Sequence, residues 1–216
     1  MKEFVVIGLG NFGATVAKQL YQLGCNITAI DVNKARVQDL QEHTHQAIIA
    51  DATDRKFLEN LEVKNFDCFV VSTGEDSHAS ILISLYLKEL GAKKIVVKAN
   101  STDHVKILLK VGATEALIPE EEMALKLAHS LAFPNVLDFL PLSEEYSIAE
   151  LVPPPKFAGK SLIDLELRSK HHIEVIAIRD VLTRKLQFIP SAGYQIKDSD
   201  ILVVLGKDED IEGIRG

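Results

Sequence analysis

Short, continuous apolar runs alternate with stretches of helical spacing over residues 1–118. Each run is only a few residues long and rich in β-branched side chains, which favours a strand. Strands that alternate with helices form parallel sheets, and a parallel sheet covered on both faces has continuous apolar strands. The pattern predicts an α/β fold with a Rossmann-type, doubly wound parallel sheet. The predicted strands are Phe4–Ile7, Ile27–Ile30, Ala47–Ala50, Cys68–Val71, Ile95–Val97 and Ala116–Ile118.

After residue 118 the pattern changes to one amphipathic helix, which is broken at Pro134 and followed by the apolar segment "FPNVLDFLPL". Met123, Leu127 and Leu131 share one face of this helix. The helix could pack on its own sheet, or it could be an interface helix that leads into a second domain. The apolar tail favours the second interpretation because it has little polar surface to present to water.

The remaining residues predict a small α+β domain. "SIAELVP" alternates as a strand, three consecutive prolines at 153–155 block regular structure, and "GKSLIDLELRSKHH" has the spacing of one short helix. "IEVIAIRD", "LQFIP" and "DSDILVVLG" follow as strands. The predicted organisation is therefore a nucleotide-binding lobe at 1–118, a crossover helix and linker at 119–140, and a C-terminal lobe at 141–216.

Charge and composition limit the classes of binding partner that the protein is expected to have. The formal net charge is -7 and the pI is about 5.5. An acidic surface repels phosphate backbones, so no nucleic-acid partner is expected. The N-terminus leads straight into a strand, and the apolar runs fall far short of the roughly 20 residues that span a bilayer. We therefore expect a cytoplasmic protein that reaches a membrane only through a partner.

The first strand runs into "GLGNFG", which contains GxGxxG at Gly8, Gly10 and Gly13. In this turn the first glycine permits the tight bend, the second lets the backbone approach a pyrophosphate, and the third lets helix and strand pack closely. Asp31 follows about 20 residues on, at the end of the second strand, where a carboxylate accepts hydrogen bonds from ribose hydroxyls. The motif predicts a nucleotide site, and Asp31 argues against the 2′-phosphate of NADP. We expect Asp31→Ala to abolish nucleotide binding while the fold survives.

Other strand ends face the same predicted crevice. The segment "ADATD" is expected at the adenine, "STGED" at the ribose and phosphates, and Lys98 within reach of a phosphate. Glu120 begins the crossover helix, either as a simple partner of the helix dipole or as a ligand of a divalent cation near the phosphates. The predicted nucleotide-site residues are Gly8, Gly10, Asn11, Phe12, Gly13, Asp31, Val32, Asp51, Ala52, Thr53, Ser72, Thr73, Gly74, Glu75 and Lys98.

Several segments in order along nearly the whole chain resemble one family. They include "VIGLGNFG", "IIADATD", "VSTGEDSHAS", "GATEALIPEEEMALKLAHSL" and "DSDILVVLG". The chain resembles the RCK subunits of bacterial Ktr and Trk potassium uptake systems, especially KtrA-type sequences. The resemblance implies a homodimer formed through the helix at 119–140, an octameric ring, and a membrane-embedded, potassium-translocating partner. It also implies gating by ATP and ADP, NAD or NADH binding as in some relatives, and cyclic di-AMP binding in the C-terminal lobe.

The resemblance also implies roles for particular residues. Glu120 would contact a divalent cation, Mg or Ca, near the γ-phosphate across the dimer. Arg168, His172 and Pro190 would lie near the cyclic-dinucleotide pocket. Asn11 departs from the family, which often has an arginine there that reaches the terminal phosphate, so NAD or AMP should compete better with ATP. Two other functions stay open from the sequence: an NAD-dependent oxidoreductase, and a nucleotide-binding scaffold without a membrane partner.

Overall fold

The computed structural model describes residues 1–143 and 145–214. It divides into two compact units, Met1–Pro119 and Glu120–Gly216.

The first unit contains the predicted parallel sheet. Its strand order among the described residues is β3-β2-β1-β4-β5-β6, and every neighbouring pair is parallel. This is the doubly wound order, and it confirms the fold class predicted from the alternating pattern. The strands are β1 (Glu3–Ile7), β2 (Asn26–Asp31), β3 (Gln46–Ile49), β4 (Cys68–Val71), β5 (Ile95–Lys98) and β6 (Glu115–Leu117). The helices are α1 (Asn11–Gln22), α2 (Lys34–Leu40), α3 (Arg55–Asn60), α4 (Ser77–Glu89) and α5 (Thr102–Val111).

The inner strands β1, β2 and β4 are largely buried on both faces, which explains their continuous apolar runs. Successive residues of β1 alternate between two cores: Val5 and Ile7 pack on one side, and Val6 packs on the other. All three are at most 3% exposed. A strand covered by helices on both faces has no solvent-facing position for a polar side chain, so the period of two is lost from its sequence.

Short polar side chains start the helices on the carboxyl edge of the sheet. Asn33, Asp54, Asp76 and Ser101 each accept a hydrogen bond from a backbone N–H in the first turn of α2, α3, α4 and α5, respectively. These caps satisfy donors that the helix itself leaves unpaired. They also fix how each chain segment leaves its strand, which positions the loops between strand and helix.

The second unit is an α+β domain with an antiparallel sheet of order β10-β9-β11-β8-β7 among the described residues. One core of apolar side chains, including Leu151, Ile178 and Leu202, packs against it. Its strands are β7 (Val136–Pro141), β8 (Tyr146–Leu151), β9 (Glu174–Asp180), β10 (Leu186–Phe188) and β11 (Asp200–Lys207). Its helices are α6 (Pro119–Ala132), which begins one residue before the unit, α7 (Leu162–Leu165), α8 (Leu167–Lys170) and α9 (Asp208–Glu212).

Three details of this unit differ from the sequence prediction. The apolar segment after Pro134 is the edge strand β7, which pairs with β8, although its Leu137 and Leu140 remain 45% and 57% exposed. The single helix expected near residues 159–172 is two short helices, because Glu166 between them has a left-handed conformation with φ 47°. Helix α9 follows the last strand and was not predicted, since its sequence is acidic and only five residues long.

Helix α6 leaves its apolar side chains uncovered. All of its residues are described, and none of them is buried. Met123, Leu127 and Leu131 are 65%, 58% and 72% exposed. On the opposite face His129 stacks on Phe139, with ring centroids 4.3 Å apart. The contacts of His129 attach α6 to its own unit, and the Met123–Leu127–Leu131 stripe stays open.

Candidate nucleotide-binding site

The predicted site residues of the first unit lie together at one edge of the sheet. They follow the carboxyl ends of β1 to β5, which the parallel topology brings to the same edge. The chain changes winding direction between β1 and β4, and ligands of doubly wound sheets bind in the crevice at this point. The glycine turn after β1 and the Ser72 loop after β4 border that point directly.

The three motif glycines differ in whether the fold leaves space for a Cβ atom. Gly8 has a φ of +88°, and a Cβ there would lie 2.1 Å from the Ser72 carbonyl oxygen. A Cβ on Gly13 would lie 1.9 Å from the Gly8 carbonyl oxygen. Gly10 has an ordinary φ of -66° and, unlike Gly8 and Gly13, no described heavy atom beyond its chain neighbours and helix α1 lies within 4 Å of the position of a Cβ. The fold therefore requires Gly8 and Gly13, while Gly10 leaves an open cradle at the start of α1.

Asp31 is built into the glycine turn. Its side chain is only 4% exposed. Its Oδ2 accepts a hydrogen bond from the Leu9 backbone N–H at 2.6 Å, and its Oδ1 accepts one from the Asn33 N–H at 2.8 Å. Each carboxylate oxygen has a further lone pair, so a ribose hydroxyl can still be accepted. Asp31 thus has a structural task that its position in the motif did not reveal.

The structure adds Arg36, which sequence reasoning missed. Its guanidinium lies 3.7 Å from Asp31 Oδ2, and its side chain is 54% exposed. The first turn of α2 brings this arginine beside the Asp31 carboxylate, which the sequence predicts to contact the ribose. The sequence offered a signal for Arg36, since it lies only five residues after Asp31. The argument against NADP therefore rests on the negative charge of Asp31 alone.

The ends of β3 and β4 form two further walls of the crevice. Asp51 accepts hydrogen bonds from both the backbone N–H and the hydroxyl of Thr53, at 2.8 and 2.7 Å. Ala52 is buried, so its contribution is packing. After β4, Ser72 is buried and the Thr73 hydroxyl donates to the Asp76 carbonyl oxygen at 2.9 Å. Of the predicted set, Gly13, Asp31, Ala52 and Ser72 are buried, and the other positions are exposed or partly exposed: Gly8, Gly10, Asn11, Phe12, Val32, Asp51, Thr53, Thr73, Gly74, Glu75 and Lys98.

The other predicted sites belong to the second unit. Glu120 is exposed in the first turn of α6, beside Glu121 and Glu122. Arg168 on α8 pairs with Glu174 at 3.1 Å. The remaining two flank β9 and β10: His172 precedes β9 with a φ of +52°, and Pro190 follows β10. Across residues 1–143 and 145–214, no group of three or more His, Cys, Asp or Glu side chains could hold a metal ion by itself.

The fold and the crevice define a class: a two-domain protein with a Rossmann-type lobe and a small C-terminal lobe. Residues 4–119 match the model of the TrkA-N domain, and residues 147–215 match that of the TrkA-C domain. The chain belongs to this family of potassium uptake proteins. It is 42% identical to the Ktr system potassium uptake protein C of Bacillus subtilis, over 97% of this chain and 94% of the relative. It is 38% identical to protein A of the same system, over 98% and 94%.

Solved structures share the fold. The GsuK channel bound to NAD aligns with a TM-score of 0.58 at 21% identity, over 99% of this chain and 38% of that chain. The GsuK channel bound to ADP aligns with a TM-score of 0.53 at 23% identity, over 60% and 34%. Among the described residues, no helix is both long enough and apolar enough to cross a membrane.

Proposed function

We propose that this protein is a cytoplasmic, nucleotide-sensing regulatory subunit of a potassium uptake system. The observation that supports the nucleotide site is Gly10. Neither its φ nor its packing requires a glycine there, because the φ is ordinary and the space around it is open. A backbone without a Cβ at this position lets a pyrophosphate approach the N-terminus of α1. The regulatory role is supported by the near full-length similarity to Ktr system potassium uptake proteins. The proposal assigns no chemical turnover to the protein.

ATP and ADP are the proposed ligands, with NAD or NADH as competitors. The structures of GsuK bound to NAD and to ADP support both classes of nucleotide for this fold. Asp31 would orient the ribose, and the residues after β3 to β5 would contact the adenine and phosphates. Asn11 supplies no positive charge to a γ-phosphate, so discrimination between ATP and ADP would depend on Lys98, on Glu120 through a divalent cation, or on a second subunit.

Regulation requires the protein to change shape. A ligand shifts the protein from one conformation to another only if it binds the two conformations with different affinity. We place the dimer contact on the exposed stripe of α6, and four such dimers would form the octameric ring on a membrane-embedded potassium-translocating partner. A γ-phosphate that bridges two nucleotide-binding lobes could favour one ring shape, because ADP cannot form the bridge. Cyclic di-AMP would bind the C-terminal lobe near Arg168, His172 and Pro190.

Titration of the purified protein with ATP, ADP, NADH and cyclic di-AMP tests the proposal, with its mass followed by light scattering. We expect nucleotide binding together with a mass near eight times the 23.8 kDa subunit. Expression in bacteria that lack their own regulatory subunit, but keep the membrane subunit, should restore growth at low potassium. Absence of nucleotide binding would contradict the sensor, and absence of restored growth would contradict the potassium role.

A further inference from the structure

A buried histidine connects two of the loops that border the crevice. His104 on α5 is 5% exposed. Its Nε2 lies 3.0 Å from the Ser80 hydroxyl on α4, and its Nδ1 lies 3.0 Å from the side-chain oxygen of Asn100. Asn100 comes two residues after Lys98, beyond the end of β5. The imidazole therefore spans the space between α4 and the segment that follows β5.

The contacts continue from Asn100 back to α4 and close a ring. The Asn100 side-chain amide donates to the Ser77 hydroxyl at 2.9 Å. The Ser80 hydroxyl lies 2.9 Å from the Ser77 carbonyl oxygen, so the first turn of α4 is held at two points. Every member of the ring is a short side chain with few rotamers, apart from the imidazole, which burial holds in place. Because the Ser80 hydroxyl donates to the Ser77 carbonyl oxygen, the neutral imidazole donates to Ser80 through Nε2 and accepts the Asn100 backbone N–H at Nδ1, at 3.4 Å, so it links α4 to the segment after β5.

The first turn of α4 is in turn tied to the loop after β4. Asp76 caps α4 by accepting a hydrogen bond from the Ala79 N–H at 2.9 Å. The Thr73 hydroxyl donates to the Asp76 carbonyl oxygen at 2.9 Å. A displacement of α4 would therefore move Thr73 and its neighbours, which the proposed function places beside the ribose and phosphates.

We propose that His104 is a positioning residue of the nucleotide site, which sets the spacing between the Ser72–Asp76 loop and the end of β5. This inference rests on the proposed nucleotide-binding function. His104 itself would not touch the ligand. It acts through Asn100, Ser77 and Ser80, and its loss should loosen the two loops relative to each other.

The chain provides a matched pair of variants on α4. Ser80 and Ser84 are both buried and lie one turn apart. The Ser80 hydroxyl contacts His104, whereas the Ser84 hydroxyl donates to the Ser80 carbonyl oxygen of its own helix at 2.7 Å. We expect Ser80→Ala to weaken ADP binding about fivefold, the value of one net hydrogen bond, and Ser84→Ala to leave the affinity unchanged.

Two substitutions of His104 distinguish the effect of its hydrogen bonds on ADP affinity from the effect of its packing. His104→Leu keeps a side chain of similar size but no polar atom, and we expect it to weaken ADP binding about tenfold. His104→Gln can still donate and accept, so it should recover most of the affinity. A role in folding alone would instead make affinity follow the melting temperature, which is measured for each variant in the absence of nucleotide.

Calorimetric titration of the full-length wild type and the four variants with ADP decides the question. Weak binding by Ser80→Ala and His104→Leu, with recovery in His104→Gln, supports the positioning role. Equal affinity in all five proteins would overturn it while leaving the nucleotide site intact. A wild-type protein that binds none of ATP, ADP and NADH would instead overturn the proposed function on which the inference rests.

Discussion

Gly8 and Gly10 lie two residues apart in one turn, but we expect Gly8 to matter for stability and Gly10 for nucleotide binding. We expect Gly8→Ala to lower the free energy of unfolding by about 2–4 kcal/mol, because a Cβ would meet the Ser72 carbonyl oxygen in a left-handed conformation. Gly10→Ala should change stability by about 0.5 kcal/mol or less, since its φ suits alanine and the space is open. The same substitution should weaken nucleotide binding by about tenfold or more. Urea unfolding and calorimetric titration measure the two effects, and an unchanged affinity in Gly10→Ala would remove the argument for the cradle.

Asp31 combines a structural task with its proposed contact to the ribose, so we expect its variants to lose both stability and nucleotide affinity. Asp31→Asn keeps the size of the side chain but turns one acceptor into a donor that faces a backbone N–H. We expect a loss of about 1–3 kcal/mol in the free energy of unfolding and about tenfold weaker nucleotide binding. The sequence alone predicted that Asp31→Ala leaves the fold intact; the contacts to Leu9 and Asn33 predict a clear decrease in stability. Asp39→Asn, an exposed position on α2, is the control for the change in charge.

Burial of His104 makes the stability of the first unit sensitive to acid. Desolvation lowers the pKa of its imidazole below the ordinary value of 6.5. The unfolded chain therefore binds the proton more readily, and the free energy of unfolding should decrease as the pH falls from about 6.5 through the folded-state pKa. Urea unfolding between pH 5 and 8 measures this slope. The slope should be smaller in His104→Gln, and an identical slope in both proteins would show that another group is responsible.

At the scale of elements, helix α6 has an apolar stripe that the rest of its own unit does not cover. Met123, Leu127 and Leu131 recur every four residues on one face, whereas Leu125 lies between Glu121 and His129 on another. We expect Leu127→Glu to shift the protein towards monomer, because a charge would be buried in the proposed dimer contact. Leu125→Glu, at a position of similar exposure, should keep the dimer. Analytical ultracentrifugation compares the two, and an unaffected dimer in Leu127→Glu would place the contact elsewhere.

Element boundaries followed the sequence closely where local signals agreed with packing. Each predicted strand of the first unit has its counterpart, and the inner strands do so because an apolar run covered on both faces suits the middle of a parallel sheet. The apolar segment after Pro134 was ambiguous, since exposed and sheet-forming apolar residues have the same composition. Its pairing with β8 shows that it forms a strand, and such a long-range partner leaves no signature within the segment; Leu137 and Leu140 nevertheless stay exposed.

For the whole molecule, the proposal assigns two ligands to two domains. Saturating cyclic di-AMP should therefore not displace ADP from the nucleotide-binding lobe, although it could alter the affinity through the ring. We expect Arg168→Ala to weaken cyclic di-AMP binding about tenfold and to leave ADP binding unchanged. Competition titrations with labelled ADP test this, and Lys170→Ala on the same helix is the control. Direct competition between the two ligands would show that they share one site.

The sequence by itself determined the parallel sheet, the glycine turn and the set of strand ends that line the crevice. These features follow from local periodicity, and parallel topology brings the carboxyl ends of all strands to one edge. Only the tertiary structure decided that Gly10 is open while Gly8 and Gly13 are enclosed, that Asp31 holds Leu9 and lies beside Arg36, and that His104 connects α4 to the end of β5. The physical reason is distance along the chain: a clash, a buried hydrogen bond or an ion pair depends on which remote atoms meet, and the folded chain alone sets those distances.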